Sequence, residues 1–168
     1  MARYSLVFSS QATVATADTT ALTANKYVAL GGNSTTMQLK VNEVQCGGEA
    51  TAASAVQIYR FGRSSTVAAT SLTGTDLYNA NLDATSTAPG TVALFSSNST
   101  TKPQRSSTLG SLIAHSFNAY GGLVRWQARQ GEEITIVGNT ASLGECTYSG
   151  FTGTVASTVS GHIIYELV

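Results

Sequence analysis

The stretch Thr154-Val155-Ala156-Ser157-Thr158-Val159-Ser160-Gly161-His162-Ile163-Ile164-Tyr165-Glu166-Leu167 decides the fold class. Val155, Val159, Ile163, Tyr165 and Leu167 share one parity, and Thr154, Thr158, Ser160, His162 and Glu166 share the other. Successive side chains of an extended chain point to opposite faces, so this alternation predicts a strand with one buried face. The run is also rich in β-branched residues, which suit a pleated surface. Gly161 interrupts the pattern, and a bend or bulge is expected there.

The same reasoning extends along the chain. Met37, Leu39 and Val41 alternate with Gln38 and Lys40, but the next apolar positions are Val44 and Cys46. The phase has slipped by one residue. A slip turns every following side chain to the other face unless an extra residue absorbs it, so a bulge is predicted near Asn42-Glu43. Gly47-Gly48 reads as a turn. Residues 55–61 read as a strand with bulk on both faces, Val56 and Ile58 on one and Tyr59 and Phe61 on the other. Cover on both sides, or one face at a subunit contact, accounts for that.

Residues 62–108 are rich in Ser, Thr, Asn, Gly and Ala and contain both prolines, Pro89 and Pro103. They read as long loops with one short strand near residues 91–95, and Tyr78 is among their apolar anchors. Residues 106–120 fit a helix through Leu109, Leu112, Ile113, Phe117 and Tyr120, or a strand through Ile113, His115 and Phe117. Neighbouring strands favour the strand. Further strands are predicted at residues 123–128, with Val124, Trp126 and Ala128 on one side, at 134–137 and around 146–148. Short strands separated by turns imply an all-β domain, a jelly-roll-like β-sandwich or barrel of antiparallel strands. Residues 1–168 form one domain in this reading, with residues 1–12 as an N-terminal arm.

Composition narrows the function. At 168 residues the chain can bury roughly 70% of its unfolded surface. Charged residues are only 11%, against about a quarter in most proteins, and nine basic residues balance nine acidic ones. A surface of small polar residues without net charge suits a chain held against others. Nucleic acid is disfavoured as a partner, because phosphate binding requires clustered Lys and Arg and here they are scattered. No apolar run is long enough for a signal peptide or a membrane helix, which implies synthesis in the cytosol. Cys46 and Cys146 match no metal or redox spacing and read as buried apolar side chains. Asn33-Ser34-Thr35 and Asn98-Ser99-Thr100 match the glycosylation sequon, and without a leader they read as loop composition.

Catalysis finds little material. His115 lies on an apolar parity and reads as a core histidine. His162 lies on the polar parity of the last strand. No nucleophile elbow, Walker loop, zinc-protease helix or paired-cysteine motif occurs. Glu132 and Glu133 are adjacent in a strand and point apart, so they do not form an acid–base pair. Asp76 and Asp83 lack the dense ligand spacing of a calcium loop. Tyr120, Trp126, Tyr148 and Phe151 offer faces for a sugar ring, but Trp126 and Phe151 read more strongly as core or interface anchors. The sequence therefore predicts no enzyme, no cofactor and no metal.

Several segments resemble a known family. They are the opening Met1-Ala2-Arg3-Tyr4 before a short apolar strand, Val41-Asn42-Glu43-Val44, and Ile58-Tyr59-Arg60. In the same order follow His115-Ser116-Phe117-Asn118, the strand containing Trp126, Glu132-Glu133-Ile134 and Gly161-His162-Ile163-Ile164-Tyr165-Glu166. Together they resemble the jelly-roll decoration, or cement, proteins of tailed bacteriophages, across most of the chain. That resemblance implies a homo-oligomer, commonly a trimer, bound to the major capsid protein on the outside of an icosahedral virion. A receptor- or glycan-binding module of a head or tail fibre is the alternative. The expected contact residues are Arg3, Tyr4 and Phe8 on the arm, Tyr59 and Phe61 on one strand face, Tyr78 in the loops, and Trp126.

Overall fold

A computed structural model describes residues 3–13, 28–32, 36–49, 56–64, 77–85, 93–96, 111–137, 146–153 and 157–168. For some of these, β1, β6 and β10 among them, only the backbone is described. Every regular element among the described residues is a strand: β1 Arg3–Thr13, β2 Ala29–Gly32, β3 Gln38–Glu49, β4 Val56–Ser64, β5 Leu77–Asn81, β6 Ala93–Ser96, β7 Ser111–Asn118, β8 Tyr120–Gln127, β9 Ile134–Val137, β10 Cys146–Gly153 and β11 Ser157–Leu167. All pairings are antiparallel. The large sheet runs β5-β1-β11-β3-β8, with β9 also on β3. A second sheet runs β10-β4-β7, and β2 pairs with β6. The expected all-β antiparallel fold is therefore present.

Alternation explains the core. On β11, Val159, Ile163 and Tyr165 are fully buried, while Ser160, His162 and Glu166 are only partly covered. Leu39, Val41, Val44 and Cys46 of β3 join them, with Ile134 and Ile136 of β9. The opposite layer contributes Tyr59 and Phe61 from β4 and Ile113 and Phe117 from β7. Both sheets thus share one apolar cluster, which also includes Val28 and Leu30.

The predicted phase slip on β3 is a bulge. Ile164 pairs with Glu43 and Tyr165 with Val41, leaving Asn42 as the extra residue. Val44 and Cys46 thereby reach the core side, and Glu43 moves to the outer side. The irregularity expected at Gly161 falls instead on its partner strand. Phe8 pairs with Gly161 and Gln11 with Val159, so β1 carries the extra residue beside it.

Four readings need correction. Gly47 and Gly48 are not a turn, since β3 continues through them to Glu49. A methyl group on Gly48 would collide with the Ala119 carbonyl, so glycine allows β8 to approach. Residues 77–81, expected as loop, are a strand in a stretch too rich in small polar residues to show alternation, and 29–32, for which the sequence predicted no element, are a strand as well. Residues 3–13 are not a free arm: β1 is hydrogen-bonded to β11 on one edge and β5 on the other. Tyr59 and Phe61 are not contact residues for another chain, because both are buried in this chain's own core. Of residues 106–120, the described part, 111–120, is strand and not helix, with β7 and β8 joined at a corner by Ala119, and 106–110 lie outside the described residues. The strand expected near residues 91–95 is β6.

Candidate interaction face

The outer face of the large sheet carries the most organised polar group among the described residues. The Asn42 bulge sets it up. A straight strand would send Glu43 inward behind Leu39 and Val41, but the extra residue turns it out. His162 on β11 and Arg125 on β8 are each registered opposite Gln45, so they flank β3 from both sides. Glu43 lies one step along and reaches both diagonally, as neighbours on one sheet face do. Arg125 Nη2 donates to Glu43 Oε2 at 2.7 Å. His162 Nε2 lies 3.0 Å from Glu43 Oε1.

The carboxylate is held under these two side chains and is only 7% exposed. A buried carboxylate needs paired charge and hydrogen bonds to remain ionised. The Arg125 hydrogen bond pulls the Glu43 carboxyl below the ordinary range, burial opposes it, and His162 adds to the lowering. Arg125 itself remains half exposed, so water screens its part of the pair. The arrangement ties three adjacent strands together through one side chain. It is a polar pin across the sheet.

Two hollows flank the pin. One, of about 720 Å³, lies between the bulge and the segment that links β8 to β9. Its lining includes Lys40, Asn42, Glu43, Gln130, Glu133 and Glu166. The other, of about 280 Å³, has a floor of glycines from β3, β8 and β11, with Leu123 at its side. Leu123 is 62% exposed and Tyr120 56%. Val56 pairs with Asn118, whose Oδ1 accepts the Tyr120 N–H, so a third exposed apolar side chain sits at the same β7–β8 corner.

The expected site residues distribute unevenly. Trp126 is half buried and packs against the core beside its partner Val44, while Tyr120 is exposed. Tyr148 and Phe151 lie on β10 opposite Gly62 and Tyr59. Arg3, Tyr4 and Phe8 are registered to Glu166, Tyr165 and Gly161, and Tyr78 to Val7. Only their backbone is described. His115 has the inward parity expected and is half buried, and its Nε2 finds no hydrogen-bond partner among the described residues. Cys46 is buried as expected, and desolvation pushes its thiol up to about 12. Asp83 accepts hydrogen bonds from the Thr85 backbone N–H and hydroxyl, closing a turn after β5. Asp76 lies outside the described residues. Among the described residues no three His, Cys, Asp or Glu side chains are gathered to hold a metal ion. No described helix is long and apolar enough to cross a membrane.

Sequence reasoning missed the pin, although its parts were visible. The phase slip was read as a bulge, but the turning of Glu43 towards His162 was not drawn from it. Pairing register across three strands is needed for that step.

Fold and face together define an all-β antiparallel domain with a polar pin and exposed apolar side chains outside its core. Comparison of the chain with protein-family models, curated proteins and solved structures finds no match.

Proposed function

We propose that this chain is a structural virion protein, without catalytic activity, that binds the outside of an icosahedral phage capsid as a homo-oligomer and stabilises it. One observation carries the reading. The β7–β8 corner exposes Val56, Tyr120 and Leu123 on a chain with only 11% charged residues. Clustered apolar exposure on a surface poor in charge marks contact with other protein. The resemblance to phage decoration proteins supplies the kind of partner: like subunits, in a trimer, and the major capsid protein. Binding the assembled lattice but not its free subunits stabilises the lattice by mass action. Many copies on one particle add avidity to a small contact.

The test has two parts. Sedimentation of the purified chain is expected to give a multiple of the 17.4 kDa protomer. Particles stripped of the protein are expected to rupture at a lower temperature and to recover when it is added back. A monomer with no affinity for stripped particles, and unchanged rupture, would refute the proposal.

A further inference from the structure

The larger hollow has a built character independent of any role in a shell. Its wall is the link between β8 and β9, and that link is fixed by its own bonds. Ala128 N–H donates to Asn42 O at 2.8 Å, and Glu132 N–H donates to Arg129 O at 2.9 Å. Gly131 N–H donates to Glu133 Oε1 at 3.1 Å. The backbone N–H groups of Glu133 and Gly131 hold the Glu133 carboxyl below the ordinary range, so it is an ionised acceptor. A wall fixed in advance lowers the ordering cost of binding.

The chemistry of the lining is mixed in a particular way. Both Glu43 oxygens are engaged by Arg125 and His162, and Asn42 Nδ2 is shielded from the hollow at the bulge. Glu133 and Glu166 therefore supply the open acceptors, and Lys40 and Gln130 the open donors. Leu82 and Ile164 add apolar surface, and Leu82 is 56% exposed. With Glu43 already paired to Arg125, the Glu133 and Glu166 carboxylates against the Lys40 ammonium leave the lining with a small excess of negative charge.

A hydroxyl group donates and accepts through one oxygen, so a run of hydroxyls matches interleaved carboxylates and amides. The C–H face of a sugar ring suits the apolar edge. An acidic sugar or a phosphate would meet like charge. We therefore infer that the hollow between the Asn42 bulge and the β8–β9 link binds a neutral saccharide. This site is separate from Trp126. No aromatic ring lies among its described lining, so a single site is expected to be weak, with Kd on the order of 1 mM.

The experiment is a nitrogen-15 NMR titration of the full chain with maltotriose, chitotriose and fucosyllactose, and with trigalacturonate as the acidic counterpart. Backbone amides of Lys40, Glu43, Gln130 and Gly131 are expected to shift with at least one neutral sugar and not with trigalacturonate. Gln130 is exposed and Gln130→Ala leaves the core untouched, so it is expected to weaken binding about fivefold with an unchanged fold. Lys40→Ala, checked for folding by its own spectrum, is expected to weaken it by a similar factor. Silence at these amides with all three neutral sugars at ~50 mM overturns the inference. So does an equal response to trigalacturonate, or unchanged affinity in both variants.

Discussion

Glu43 stabilises the large sheet only while it is ionised. Its folded carboxyl is held below the unfolded value of 4.5, so the folded state favours the charged form. The stabilisation is complete above the unfolded value and fades as pH falls through the lowered folded one. Urea denaturation from pH 7 to pH 3 is expected to show this loss, and Glu43→Gln is expected to flatten it. At neutral pH the same substitution is expected to cost about 1–2 kcal/mol, held to that range because Arg125 is half exposed. A second residue-scale prediction separates core from contact. Tyr59→Ala and Phe61→Ala are each expected to cost about 3–5 kcal/mol in the unassembled chain, read from denaturation midpoints. A contact residue would leave the free chain untouched. Glycines make a third. Gly48→Ala is expected to prevent native packing, because its methyl would meet the Ala119 carbonyl. Gly121→Ala has open space but a φ of 70°, so about 1 kcal/mol of backbone strain is expected, measured as a small fall in Tm.

Among the elements, legibility followed contrast between faces. β11 alternates apolar and polar residues over most of its length and could be read directly. β3 could be read with its bulge, because Val41 and Val44 cannot share a face without one. β2, with the sequence Ala-Leu-Gly-Gly, and β5, with Leu-Tyr-Asn-Ala-Asn, offer no such contrast. Their strand character comes from pairing with β6 and β1, which a local window does not contain. β1 was readable as extended, but not as interior, since nothing local distinguishes an arm from a strand with two neighbours. Its placement yields an element-scale prediction. Deleting residues 1–10 removes most of the strand between β5 and β11, so loss of the cooperative unfolding transition is expected. Circular dichroism during heating checks it. An arm would instead be lost with the transition intact.

For the molecule as a whole, low charge determines how association should respond to conditions. With 11% charged residues and no net charge, the proposed contacts between copies would rest on apolar area and neutral hydrogen bonds. Screening then has little to act on. The association constant is expected to change less than about threefold between ~0.05 and ~1 M sodium chloride, read by sedimentation equilibrium. A steep fall would mean that a few charges, such as Arg125 or Glu132, dominate the contact. The candidate site belongs to this scale as well. Its residues come from β3, β8 and β11 and the β8–β9 link, and only the register among them makes one surface.

The bulge at Asn42 also divides β3 into two reading frames. Residues before it and after it obey opposite rules for which parity faces inward. Removing Asn42 would merge the frames without turning any side chain over, since Val41, Val44 and Cys46 would stay inward and Glu43 and Gln45 outward. A lesion of phase comes instead from inserting one residue just after Glu43, which would send Val44 and Cys46 outward. Deleting Asn42 should suppress that insertion, whichever small residue is inserted, because the added residue can then serve as the bulge. Suppressor genetics could therefore locate the bulge without any structural measurement.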